Sequence, residues 1–69
     1  EGGIMFNIGD YVFHQETGYL GKVIGYGHQI LESGYETTLK VLVDKAKGSR
    51  KKGFVAEDLY SAWTQWPGA

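Results

Sequence analysis

The sequence predicts an all-β domain, five short strands closing into a small barrel with one short helical turn before the last strand. Three observations carry that expectation. Glycine recurs at Gly9, Gly18, Gly21, Gly25, Gly27, Gly34, Gly48 and Gly53, leaving no interval long enough for an ordinary helix. Between 35 and 44 the chain alternates: Tyr35, Thr37, Leu39, Val41 and Val43 share one parity, Glu36, Thr38, Lys40 and Asp44 the other. That is the period of a half-buried strand. Finally, 69 residues hold one domain. A chain this small buries only roughly 60% of its unfolded surface, and closing the sheet on itself removes the edges that a lone meander would expose.

Taken in order, Glu1-Gly2-Gly3-Ile4 reads as a vector-derived remnant, Met5 as the natural start, 5–66 as the single domain and 67–69 as a tail. Residues 11–15, rich in aromatic and β-branched side chains, form the first strand, and 20–28 the second. Glu16-Thr17-Gly18-Tyr19 joins them as a hairpin. Gly21, Gly25 and Gly27 let the second strand bend or admit another backbone, which favours a curled sheet. A connection over 29–34 leads to the strand 35–44, whose polar side is broken by Leu42. The loop 45–52 follows, then a brief strand at 53–55 and a helical turn at 56–59. The last strand, 60–66, stops at Pro67-Gly68. Five strands and one turn in so few residues fit a small SH3-like barrel, with an OB-type barrel, which needs longer strands, second.

Composition narrows the function classes. There is no cysteine, which removes disulfides and thiolate zinc sites, and His14 and His28 cannot close a metal site alone. No metal or cofactor is expected. No apolar run approaches the roughly 20 residues of a membrane span, and the N-terminus lacks signal-peptide features. The chain reads as soluble and cytoplasmic.

Three blocks carry a family resemblance: "FNIGDYVFHQETGYLGKVIGY" at 6–26, "LKVLVD" at 39–44 and "GFVAEDL" at 53–59. Their order and spacing resemble the YccV-like (HspQ) family of small barrels. Phe6, Ile8, Gly9, Val12, His14, Gly18, Tyr19, Gly21, Val23 and Ile24 match in the first block. Val41 to Asp44 match in the second, and Val55, Ala56, Glu57 and Leu59 in the third. The resemblance implies a bent β-barrel without enzyme activity, acting on hemimethylated DNA or as a specificity factor for a cytoplasmic ATP-dependent protease. The chain departs from the family at 27–38, where a longer acidic insertion and a Pro-Trp-Tyr stretch are missing, and at the C-terminus, which reads "YSAWTQWPGA". A weaker resemblance runs to the CarD and Mfd-type RNA-polymerase interaction domain, through the Gly-Asp-x-Val-x-His opening at 9–14.

The functional reading is a non-enzymatic binding module, a protein-binding adaptor or a self-associating barrel. Ten aromatic residues exceed what so small a core hides, and Tyr60, Trp63 and Trp66 are the interface candidates. Trp63 and Trp66 have opposite parity on the last strand, so one of them faces out. DNA binding is the alternative. Lys45, Lys47, Arg50, Lys51 and Lys52 put five of the seven basic residues into one loop suited to a phosphate backbone. The plainer reading of that loop is a solvated hairpin tip, because the rest of the chain sets eight acids against Lys22 and Lys40. His14 and His28 read as structural. Glu57-Asp58 reads as the acidic start of a helical turn rather than a catalytic pair. A third alternative, the type II dihydrofolate reductases, shares the Gly-Asp-x-Val opening but not the Val-Gln-Ile-Tyr active strand.

Overall fold

The computed structural model describes residues 6–46 and 52–67. It is all-β: β1 (Tyr11–His14), β2 (Tyr19–Leu31), β3 (Gly34–Ala46), β4 (Phe54–Leu59) and β5 (Trp63–Gln65), with a 3-10 turn, Tyr60–Ala62, before β5. The five strands form one antiparallel sheet in the order β4-β3-β2-β1-β5. Alternation in the sequence becomes alternation of burial. Val12 and His14 on β1, Val23 on β2 and Leu39, Val41 and Val43 on β3 point inward, and Phe6 and Trp63 complete the core.

The sheet curls until its far strands meet. Two strands separate β1 from β4 in the sheet, yet His14 Nε2 lies 2.8 Å from Asp58 Oδ2. Trp63 Nε1–H donates to the Asp58 carbonyl at 3.4 Å, and Tyr19 meets Phe54 edge-on with ring centroids 5.2 Å apart. Two irregularities in the β2–β3 ladder, at Leu20/Gly21 and Val23/Gly25, help the bend, since an extra residue in one strand raises the local twist. Gly21 is required there. A Cβ at this position would lie 2.2 Å from the Leu42 carbonyl oxygen, inside the contact distance of any real side chain.

Three sequence expectations shift. Residues 29–34 are not a connection: β2 runs on to Leu31, turns at Glu32-Ser33, and β3 begins at Gly34, so the two strands form one hairpin paired from Tyr19↔Ala46 to Leu31↔Gly34. The positive-φ position of this turn falls on Gly34, at 116°, where the missing side chain removes the strain. Residues 56–59 are strand rather than helical turn, paired through Val41↔Ala56, Lys40↔Glu57 and Leu39↔Asp58. Their acids act across strands instead of capping: Glu57 accepts from the Thr38 hydroxyl at 2.6 Å, and Asp58 faces His14. The helical turn follows one step later, so the last strand contracts from 60–66 to Trp63–Gln65. Among the described residues, no helix is long and apolar enough to cross a membrane.

Candidate functional site

The unexpected length of β2 and β3 creates the site. Beyond Gly27↔Thr38 the hairpin leaves β4 behind as a two-stranded arm, with His28↔Thr37 and Ile30↔Tyr35 continuing the face on which Tyr26 pairs with the core residue Leu39. Ile30 and Tyr35 are 71% and 74% exposed, the most exposed large apolar side chains among the described residues. On the β3 side, pairing with β4 ends at Thr38↔Leu59. Over 34–37, β3 therefore has β2 as its only strand neighbour among the described residues. After Leu59 the chain turns into the 3-10 segment and runs to β5.

A cleft of about 560 Å³ opens at the base of the arm, lined by Phe6, Tyr26, Glu36, Thr37, Leu59, Tyr60 and Ser61. Its aromatic walls are held by hydrogen bonds to one backbone unit. The Tyr26 hydroxyl donates to the Phe6 carbonyl at 2.5 Å, and the Phe6 N–H donates to the Tyr60 hydroxyl oxygen. The Phe6 and Tyr60 rings pack with centroids 5.0 Å apart, tilted by 37°. Glu36 is the one charged residue of the lining, and it is exposed.

A second polar cluster serves the fold. Within the core, His14 Nδ1 accepts N–H bonds from Thr17 at 3.1 Å and Glu16 at 3.3 Å, which leaves the ring proton on Nε2 to donate to Asp58. The hydrogen bond from His14, then that from the Leu59 N–H, holds the Asp58 carboxyl below its usual value. Trp63 packs edge-on against the imidazole at 4.8 Å. His14 is 2% exposed, sealed from solvent among these partners. Elsewhere, the Tyr11 hydroxyl bonds Asp44, and that bond, with burial and the carboxylate's charge, pushes the phenol up.

The sequence-predicted residues scatter. Lys45 and Lys52 are exposed and flank the basic loop, whereas Lys47, Arg50 and Lys51 lie outside the described residues. Lys45 pairs with Leu20, at the end of the hairpin opposite the arm tip. Trp63 is only 5% exposed and belongs to the core, because its strand position turns it under the barrel toward His14. Trp66 is half-buried against Phe13, with centroids 5.4 Å apart, and its N–H bonds the Tyr11 carbonyl. Of the three interface candidates, Tyr60 alone lines the cleft. His28 lies on the arm with its ring against Tyr35, apart from the partners of His14. Among the described residues, no three His, Cys, Asp or Glu side chains gather as metal ligands.

Phe6, Tyr26, Glu36 and Leu59 were missed as site residues. The signal for Tyr26 and the arm was present: Tyr26, His28 and Ile30 continue a period of two up to Glu32-Ser33-Gly34, a short glycine-ended turn before the next alternating run. Comparison with known proteins finds no match among family models, curated proteins or solved structures.

Proposed function

We propose that this protein is a non-enzymatic binding module, resembling the YccV-like family, that holds a protein partner in the cleft and along the arm. The observation that carries the reading is the cleft itself: aromatic walls tied to the Phe6 backbone, opening beside a strand edge that β4 leaves unpaired. Preformed concave sites with apolar walls and a few polar groups are where ligands bind, and a free strand edge offers main-chain hydrogen bonds to an extended segment. A peptide-display selection against the folded protein tests this. Enriched peptides should shift the amide resonances of Glu36, Thr37 and Tyr60, and Leu59→Ser should weaken them. Peptides that bind without touching those resonances would remove the cleft from the function.

DNA contact is the second reading, supported by the exposure of Lys45 and Lys52 on either side of the basic loop. It places nucleic acid at the end of the barrel away from the arm, so the two activities are separable by substitution.

A further inference from the structure

We infer that the cleft selects a weakly hydrated organic cation, an arginine or a methylated lysine, borne on a peptide that adds to the free edge of β3. The inference rests on the protein-binding reading above and states what the partner must carry. Tyr26, Tyr60 and Phe6 supply aromatic surface, and Glu36 supplies the one formal charge of the lining, which contains no basic side chain. The faces of aromatic rings attract cations through their quadrupole, and the attraction grows as water is excluded. Guanidinium and alkylated ammonium groups lose less hydration than a bare ammonium, so they gain most from such walls. The Glu36 carboxylate, which accepts from the Ser33 hydroxyl at 3.4 Å in the arm turn, adds attraction from beside the cleft and opposes acidic ligands.

The hydroxyls matter by position. Both tyrosine hydroxyls are engaged with the Phe6 backbone, one as donor and one as acceptor, so the rings are fixed before a ligand arrives. Pre-organised walls spare the ligand the ordering of two rotatable side chains. The volume, about 560 Å³, admits a whole side chain together with part of its backbone. Glu36 and Thr37 belong both to the lining and to the stretch of β3 that β4 leaves unpaired, so an extended peptide beside them directs alternate side chains into the cleft.

The test uses the full chain and a set of short peptides identical except at one central position, which carries arginine, trimethyllysine, lysine or norleucine. Binding is followed by amide chemical shifts and by salt titration. Arginine and trimethyllysine should bind at least about tenfold more tightly than norleucine, the worth of one well-formed cation–aromatic contact. Shifts should centre on Tyr26, Glu36 and Tyr60. Tyr26→Phe should keep the preference, because the ring remains; Tyr26→Leu should lose it, and Glu36→Gln should weaken binding several-fold and flatten its salt dependence. Native core methyl resonances identify the variants that remain folded, and Glu36→Gln alters only an exposed side chain. Equal affinity for norleucine would overturn the cation preference while leaving a peptide-binding cleft. Cationic peptides that bind indifferently to both Tyr26→Leu and Glu36→Gln would overturn it as well. Absence of every peptide from the cleft would remove both the preference and the reading beneath it.

Discussion

A single proton position ties the barrel shut. Because His14 Nδ1 accepts from two backbone N–H groups, the neutral Nε2–H tautomer is the one that satisfies every neighbour, and nitrogen chemical shifts should report it directly. Asp58, on the other side of this bond, titrates below its ordinary 3.8. The folded state thus keeps Asp58 ionised at a pH where the unfolded chain takes up a proton. Its stabilising contribution is fully present above about 3.8 and is lost as the pH falls through the lower folded value. Urea midpoints measured across that acid range should decline less steeply for Asp58→Asn than for the parent, and parallel declines would show that this carboxylate does not govern acid stability. His14→Ala should be the worse lesion. It removes a buried ring from against Trp63 and leaves two N–H groups without their acceptor, for a loss of about 3 kcal/mol or more.

Within the strands, the glycines differ in kind although the sequence writes them alike. Gly21→Ala drives a methyl into the Leu42 backbone, which cannot rotate away, and is expected to cost at least about 3 kcal/mol in denaturant unfolding. Gly25→Ala meets only the flexible Lys40 chain, at 3.7 Å, and should be nearly neutral. Equal losses would mean that close strand approach is not what Gly21 provides. The sequence showed that glycines would bend β2, because their spacing within an apolar strand has few other uses; which of them touches backbone depends on register, which it did not carry. The same limit explains the elements. Leu39, Val41 and Val43 were legible as core because they are the aliphatic members of the alternating run, whereas Tyr35 and Thr37 of the same parity are exposed on the arm. The strand at 56–59 was not, because Glu57 and Asp58 look like the start of a helix until Thr38 and His14 are brought across from other strands. Glu32-Ser33-Gly34 marks a turn without showing how far the strands on either side remain paired, so the length of the arm is not legible in the sequence. Parity sets Trp63 and Trp66 apart, but that Trp63 is buried while Trp66 is half-buried against Phe13 depends on the curvature of the sheet.

For the molecule as a whole, surface and core divide into two experiments. Ile30→Ser/Tyr35→Ser removes the exposed apolar tip and should leave the unfolding midpoint within about 0.5 kcal/mol of the parent. If the parent self-associates by that tip, light scattering at high concentration should show the variant as monomer; a parent that is itself monomeric removes self-association. Lys45→Glu/Lys52→Glu probes the opposite end. Any binding of a duplex methylated on one strand should fall and its salt slope flatten, while absence of binding at low salt removes the DNA reading. One contact of the fold reaches beyond recognition. The first strand pairs with the fifth, Val12 opposite Gln65 and His14 opposite Trp63. On a ribosome, β1 and β2 emerge early, but β1 holds an open edge until Trp63–Gln65 have been made. Closure of the sheet then waits for β5, a non-local pairing of the kind that slows folding. A transcript cut short before Trp63 would release a sticky edge rather than a smaller working domain.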